Sequence, residues 1–351
     1  MATYYPSDFL SRRNFELAWD RVLRGANSQY KRFFAHLHPS YQFASRTIIR
    51  DLIERIRQGH YSPSNSTTVY LPKPSRVLRP ITLISLNDQV VYQAIGNFIA
   101  NKFVKSLSPY YGQKTFGGQY AGKSSKFFFR SWQRGYEGFT SAIRLAYTKG
   151  NVVLADFDLV AFFDLIDHKI LRAVLESKVK NGEVLDLLCE CLERWTVGNP
   201  NALIRGHGIP QGPEPSAFLA EVLLNHFDRG TYGHVTYLRY VDDIKLLGPS
   251  FSAVRRALVK LDLQSKRLGL VPQAQKIEVR GVADINAELK TVPSMLAGIT
   301  GQVPLSKSKT AKLESLLRKS IKKVNGELVV TNETHFKFAL YRLRPIEGRI
   351  I

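Results

Sequence analysis

Two kinds of β-rich run that end in acid constrain this chain more than any other feature. Asn151-Val-Val-Leu-Ala-Asp-Phe-Asp is an apolar, β-branched stretch that runs into Asp156 and Asp158, the pattern of a buried strand whose end carries carboxylates. Asp167-His168 then supplies a helix start for Lys169 to Val179, so strand, acidic end and helix form one unit. Farther on, His234 to Val241 and Ile244 to Leu247 are β-rich runs parted by Asp242-Asp243, which predicts a hairpin with two carboxylates at its tip.

Carboxylates on neighbouring strand ends can hold divalent metal. Phosphoryl transfer to a nucleotide uses that arrangement: one metal activates the attacking hydroxyl, a second steadies the triphosphate and the leaving pyrophosphate, and hard Mg²⁺ prefers oxygen ligands. Taken alone, Asp-Asp in a hairpin is more often simply a turn, because Asp is favoured there.

The charge balance agrees with a phosphate-rich partner. Lys and Arg outnumber Asp and Glu by 50 to 29, a formal charge of +21, which favours polyanions through phosphate contacts and counterion release. Solubility alone is the weaker explanation. An anionic membrane surface would also attract such a chain, but there is no long apolar run and no charged start leading into an apolar signal segment, so a soluble, cytoplasmic protein with no membrane partner is expected. Cys189 and Cys191, one residue apart in the helical stretch Leu185 to Trp195, have no second Cys or His pair at zinc spacing and are expected to be reduced thiols.

The first sixty residues show helical periodicity, as in Thr47-Ile-Ile-Arg-Asp-Leu-Ile-Glu-Arg-Ile. After the turn-rich Ser62-Pro-Ser-Asn-Ser-Thr, the stretches Thr68-Val-Tyr-Leu and Leu78-Arg-Pro-Ile-Thr-Leu predict two strands joined by the basic turn Pro72-Lys-Pro-Ser-Arg. A helix follows from about Asn87 to Phe103, then loop from Leu107 to Gly122. Phe128, Trp132, Tyr136 and Phe139, spaced by four, four and three, predict one helix face. That face either docks on a core or, with Arg130 and Arg134 interleaved, stacks on bases. Helices are expected over Glu183 to Trp195, from Pro215 or Ser216 onward, over Ser252 to Leu268, over Ser306 to Val324 and over Thr334 to Leu343.

Three segments appear in order: Asp158-Leu-Val-Ala-Phe-Phe-Asp-Leu-Ile-Asp-His, Gly208-Ile-Pro-Gln-Gly-Pro-Glu-Pro-Ser-Ala-Phe-Leu and Tyr240-Val-Asp-Asp. With them the sequence, from roughly Thr68 to Gly298, resembles the reverse-transcriptase family, especially its bacterial group II intron, retron, abortive-infection and unknown-group defence members. The resemblance implies an α+β right-hand polymerase fold. Residues 1–65 would form an N-terminal helical extension, 66–300 the fingers and an antiparallel palm sheet flanked by helices, and 301–351 a short α-helical thumb.

The resemblance also assigns residues. Asp158 and Asp242 match the metal-binding aspartates, Asp243 matches the neighbour in the family's Tyr-x-Asp-Asp hairpin, and the backbone carbonyl of Leu159 would complete a site for two Mg²⁺ ions, with Mn²⁺ as substitute. Asp156 would support rather than ligate. Phe163 stands where a bulky side chain meets the nucleotide's 2′ carbon and would exclude a ribose hydroxyl, so dNTPs are the expected substrate; Phe162 is the core residue of the pair. Gln211 matches a contact to the incoming nucleotide, and Gly212 allows close backbone approach. Arg79 matches the fingers arginine on the triphosphate, with Lys73 or Arg76 as a second cation. Lys276 would protonate pyrophosphate or is simply a solvated lysine. Met295-Leu-Ala-Gly resembles a primer-grip turn.

The implied activity is RNA-directed DNA synthesis from dNTPs, with an RNA template and a DNA product. Pro213-Glu-Pro-Ser and the aromatic stripe point toward the abortive-infection and unknown-group members and hence to antiviral defence, while Ile299-Thr-Gly-Gln echoes a retron thumb. A dedicated non-coding RNA or a partner protein would complete the cleft. Two rivals stand beside this reading: template-independent or protein-primed synthesis by the same centre, and a non-catalytic RNA-binding protein, against which intact Asp158, Asp242, Asp243 and Gln211 argue.

Overall fold

The computed structural model describes residues 4–25, 27–72, 78–197, 206–289, 306–324 and 326–343. The chain divides into two compact units, Met1–Gly281 and Val282–Ile351. The first begins with helices α1 (Arg12–Arg24), α2 (Ser28–Arg32) and α3 (His38–Arg57), followed by the antiparallel pair β1 (Thr67–Pro72) and β2 (Leu78–Leu83). Helix α4 (Leu86–Leu107) precedes a long loop and α5 (Trp132–Thr148). Strand β3 (Val153–Phe157) leads through α6 (Phe162–Leu165) and α7 (His168–Glu176) to α8 (Gly182–Val197) and α9 (Glu214–Asp228). Strands β4 (Thr236–Tyr240) and β5 (Asp243–Gly248), helix α10 (Phe251–Arg267) and strand β6 (Val279–Gly281) complete the unit.

Helix starts follow local chemistry. Ser11, Ser85, Ser131 and Ser250 each accept a backbone N–H from the first turn of the helix they precede, and Asp167 accepts two, from Lys169 and Ile170. Such caps satisfy donors that an α-helix leaves unpaired.

The central sheet has the order β4-β5-β3-β6 and is antiparallel throughout. Its register sets Asp156 opposite Lys245 and Phe157 opposite Ile244. Helix α10 packs on β3, β5 and β6, and α5 packs on β4 and β5. Helix α4 is buried along most of its length and lies between α1 and α9. Its Gly96 meets Pro215 so closely that an added Cβ would fall 3.0 Å from the proline ring. The N-terminal helices share this core rather than forming one of their own: Phe9 packs on Phe15 and on Phe98, with ring centroids 6.0 and 5.9 Å away. Arg21, fully buried, donates to Asn97 Oδ1 at 2.6 Å and to the carbonyls of Gly122 and Ser125, and lies over the Phe128 ring.

Two expectations are corrected. Phe128 precedes α5 and is buried against Tyr120 and Phe218, whereas Trp132 and Tyr136 on the helix are exposed; spacing of four residues extended the stripe across a loop that a cap at Ser131 ends. The helix expected to reach Val324 stops at Lys319. In the second unit α11 (Ile285–Leu289) is followed by α12 (Lys307–Lys319), then by a hairpin of β7 (Ile321–Val324) and β8 (Glu327–Val330), then by α13 (Glu333–Leu343). The dipeptide Asn325-Gly326 between two short β-branched runs is a hairpin signal that outweighs the helical spacing. Leu313, Leu316, Leu317, Ala339 and Leu343 form this unit's own core.

Among the described residues no helix is long and apolar enough to cross a membrane. Cys191 is buried and Cys189 lies 4.0 Å from an Arg172 nitrogen, both as free thiols.

Because Arg21 joins α1 to α4 and to the loop before α5, Arg21→Ala should lower the unfolding free energy by about 2–4 kcal/mol, since it empties the space of a fully buried side chain and takes a charged donor from the half-buried Gly122 and Ser125 carbonyls. Urea unfolding followed by circular dichroism checks this; a loss under about 0.5 kcal/mol would mean that the N-terminal helices are not part of the same cooperative core.

Candidate active site

The hairpin bearing the acid pair turns more tightly than expected. Tyr240 pairs with Asp243, so the turn is Val241 and Asp242, and Asp243 begins β5 instead of sitting at the tip. Two-residue turns of this kind match the twist of the flanking strands but need a positive φ, and here Val241 supplies it, at 57°. A β-branched residue is strained in that region, and such strain persists only where neighbours hold it. One neighbour is Gly117, where a Cβ would fall 2.7 Å from Val241 Cγ2 and 2.8 Å from its backbone nitrogen. The other is Arg239, whose Nη1 donates to the Val241 carbonyl at 2.8 Å.

Arg239 is fully buried at the end of β4. It donates to Glu221 through bonds of 2.7 and 2.9 Å and to Asp228 through bonds of 3.0 and 2.6 Å. Both acids project from α9. The Tyr237 hydroxyl donates to Asp228 at 3.0 Å, and the Arg239 backbone is bridged to the loop before α5, donating to the Lys114 carbonyl at 2.7 Å and accepting from Phe116 N–H at 2.9 Å. One guanidinium thus faces two buried carboxylates. Burial pushes the Glu221 carboxyl up to about 7, with Arg239 pulling against that and Asp228 adding to it.

On the other strand, Asp156 is held by Lys245 and by Arg280, the latter at 2.6 Å. Burial alone would raise its carboxyl; Lys245 and Arg280 overcome that and hold it below the ordinary value. Beyond β3 the chain stays extended beside residues 271–273: Gln273 N–H donates to the Asp158 carbonyl at 2.8 Å, and Val160 N–H to the Val271 carbonyl at 2.8 Å. Leu159 is the residue between, paired with Pro272. In an antiparallel ladder the carbonyl of such a residue faces away from that partner, here toward the β5 side. Lys276 Nζ lies 2.9 Å from Asp158 Oδ2.

Continuing the β3–β5 register by one step sets Asp158 opposite Asp243. Among the described residues Asp242 forms no ion pair. Burial pushes its carboxyl above the ordinary value and Asp158 adds to that, while its own backbone N–H, Arg79 and Arg239 oppose. Asp243 is raised too, first by crowding that removes water and then by the neighbouring acids, against Lys245 at 3.9 Å. The effect weighs more on Asp242, since the Asp243 side chain keeps 54% of its surface accessible. Among the described residues no three acidic, Cys or His side chains converge into a closed metal cage. The donor chemistry nevertheless fits a hard divalent ion: carboxylates of Asp158 and Asp242, Asp243 beside them, and the Leu159 carbonyl, all oxygen.

The residues expected to meet a nucleotide surround the same strand ends. Phe162 is buried, while Phe163 is partly exposed, the two rings 5.5 Å apart. The Phe163 carbonyl accepts from Ile209 N–H at 2.9 Å, and Gln211 Nε2 donates to Asp164 Oδ1 at 3.0 Å. The Gln211 carbonyl accepts from Thr82 N–H in β2 at 3.0 Å, which ties the Pro-Gln-Gly loop to the strand of exposed Arg79. Gly212, at φ 137°, allows close approach of the Tyr30 ring, where a Cβ would stand 2.2 Å from a ring carbon. Lys73, Arg76, Met295 and Ile299 lie outside the described residues.

Sequence reasoning passed over Arg239, Glu221, Asp228, Lys245, Arg280 and Tyr30. Charged residues inside strongly apolar helix and strand patterns, Glu221 and Arg239 above all, were the available signal. Glu221→Gln keeps the shape and removes one of the two carboxylate charges that face the single guanidinium. A carboxyl raised in the folded state contributes stability below its unfolded value and loses it as pH rises through the folded one. The stability of Glu221→Gln relative to wild type should therefore rise between pH 5 and 8, by about 2 kcal/mol; parallel urea titrations read this, and a pH-independent difference would contradict it.

A family model described as reverse transcriptase (RNA-dependent DNA polymerase) matches residues 71–285. Among curated proteins the chain is similar to Protein YkfC of Escherichia coli (strain K12), 25% identical over 196 residues, which cover 54% of this chain and 46% of that protein; the chain thus matches less than half of that relative's length. Among solved structures it is similar to apo telomerase from Candida tropicalis, at TM-score 0.48 and 11% identity over 81% of this chain and 58% of that one. It is similar also to telomerase from Candida tropicalis in complex with a TWJ fragment of telomeric RNA, at TM-score 0.49 and 11% identity over 82% and 54%. The family match takes in more than half of the 351 residues and encloses both acidic strand ends, the Pro-Gln-Gly loop and the Val241-Asp242 turn, and on that ground the chain belongs to the reverse-transcriptase family.

Proposed function

We propose that the chain is an RNA-directed DNA polymerase that adds dNTPs to a 3′-hydroxyl, with two Mg²⁺ ions, or Mn²⁺ in their place, held by Asp158, Asp242, Asp243 and the Leu159 carbonyl. The observation that carries this reading is the carboxylate cluster with too little positive charge: Asp242 is raised by burial and by Asp158, the situation a bound divalent ion relieves. When bound, the ions would activate the attacking hydroxyl and stabilise the leaving pyrophosphate. Arg79 orients the triphosphate through its forked donors. Gln211, fixed to Asp164 and Thr82, contacts the incoming nucleotide, and Phe163 excludes a 2′-hydroxyl. Lys276 Nζ, released from Asp158, supplies the proton to the leaving group, with Lys73 as a further phosphate contact.

In this proposal residues 66–300 are fingers and palm, 301–351 a short thumb and 1–65 a helical extension, and the enzyme works in the cytoplasm in antiphage defence, with a dedicated RNA or a partner protein completing the cleft. Sequence resemblance supports the defence role.

Purified protein is incubated with dNTPs or NTPs, Mg²⁺ and a defined RNA template or none. Asp158→Asn and Asp242→Asn should each lower dNTP incorporation more than about 100-fold; equal product from wild type and Asp242→Asn would refute the polymerase reading, and product that needs no template would favour untemplated synthesis. The same Asp242→Asn should melt higher than wild type in the absence of metal, because it removes a carboxyl that the fold holds above its ordinary value, and the gain should shrink at low pH as wild-type Asp242 is protonated. Phe163→Ala should raise incorporation of NTPs relative to dNTPs by about 10-fold or more; an unchanged ratio would remove Phe163 from substrate selection.

A further inference from the structure

Between Gly112 and Leu145 the sequence has six basic residues and one acid, Glu137. Lys114 is used inside the fold, donating to the Asp228 and Gly230 carbonyls at 2.6 and 2.9 Å. Lys123, Lys126, Arg130 and Arg134 are exposed. Among them stand large aromatic side chains that the core does not take: Phe127 is 57% and Trp132 59% exposed, and Tyr136 is 39% exposed. Exposed aromatics interleaved with basic residues present stacking planes beside phosphate contacts, the composition of a single-strand nucleic-acid surface.

This surface is continuous with the catalytic hairpin. Trp132 and Tyr136 stand one turn apart on the side of α5 that meets Tyr240: the Tyr240 hydroxyl donates to the Trp132 carbonyl at 3.2 Å, and the Tyr136 and Tyr240 rings lie edge to face, 5.5 Å apart. Asp242 is two residues from Tyr240. On the adjoining side of α5 a groove of about 710 Å³ opens, lined by Arg130, Arg134, Gln119, Ser131 and Ser141 among others. Its place relative to the hairpin is fixed. Gly135 lies so close to Phe116 that a Cβ would fall 2.3 Å from the Phe116 carbonyl oxygen, and Phe116 N–H donates to Arg239.

We infer that the first turn of α5 and this groove bind unpaired RNA, the strand to be copied, with bases stacked on Trp132 and Tyr136 and phosphates on Arg130 and Arg134. Gln119 and Ser131 donate inside the fold, to the Thr115 carbonyl and to Gln133, which leaves the Gln119 amide oxygen and the exposed Ser141 hydroxyl to meet a 2′-hydroxyl, a group DNA lacks. The identity of the strand rests on the polymerase reading; the binding itself does not.

Fluorescence anisotropy of a labelled 20-nucleotide single-stranded RNA tests this with the full chain. Trp132→Ala and Tyr136→Ala should each weaken binding about five- to hundredfold, with Trp132→Phe restoring most of the loss. Arg130→Gln combined with Arg134→Gln should reduce the slope of log affinity against log salt by about 1.4. DNA of the same sequence should bind more weakly. Unchanged affinity and salt slope in variants with wild-type circular dichroism would overturn the inference. Equal loss for duplex RNA would overturn the single-strand assignment, and equally tight DNA binding through the same residues would overturn the RNA assignment. Asp242→Asn is assayed alongside and should bind RNA as wild type does; should it also synthesise as wild type does, the polymerase reading fails while the RNA site stands.

Discussion

Arg239 is the hinge of this structure. Its guanidinium takes four hydrogen bonds into Glu221 and Asp228 on α9 and one into the Val241 carbonyl, and its backbone is bridged to Lys114 and Phe116. A helix, a strand, a strained turn and the loop that carries α5 therefore meet on one buried cation. Breaking a buried pair by removing one partner costs about 3–5 kcal/mol, because the charge left behind is uncompensated. Such a network is a poor source of net stability and a good way to specify one arrangement, and what it specifies here is the position of Asp242.

The consequences run outward from that turn. Two described non-glycine residues have positive φ, Ala161 at 40° and Val241 at 57°, and each lies within three residues of a candidate metal-binding aspartate. Strain of this kind collects where geometry is needed for function rather than for packing. Charge follows the same logic. Asp156 is neutralised by Lys245 and Arg280, Asp158 meets Lys276, and Asp242 stays raised, so the centre gives up stability, which the divalent cation of the proposed site would restore. The Pro-Gln-Gly loop is braced separately, from below by Tyr30 and sideways by Thr82 and Asp164, which explains why the N-terminal helices share the main core.

Much of this was legible in the sequence because it is local. Apolar β-rich runs with acids at their ends located β3, β4 and β5, helical spacing located α4, α9 and α10, and the ordered motifs named Asp158, Asp242, Phe163 and Gln211. What escaped is non-local or competitive. Nothing in the order of residues says that Arg239 reaches Glu221 and Asp228, or that Arg280 reaches back to Asp156 across 124 residues. Phe128 kept the spacing of a helix face but belongs to a loop, where packing on Tyr120 and Phe218 decides its place. Ile321 to Val324 kept helical spacing too, and a turn signal at Gly326, φ 86°, won. The two-residue turn at Val241 could not be foreseen from propensity, since valine disfavours that conformation and only tertiary contacts hold it there.

The proposed metal centre depends on Arg239 to position Asp242. Mn²⁺ binding followed by electron paramagnetic resonance, with a dNTP present, measures this directly in wild type, Asp242→Asn and Arg239→Lys. A tight Mn²⁺ site is expected in wild type, its loss in Asp242→Asn, and at least about tenfold weaker binding in Arg239→Lys at unchanged far-ultraviolet circular dichroism. A folded Arg239→Lys protein that binds Mn²⁺ as tightly as wild type, or a site indifferent to Asp242→Asn, would contradict it.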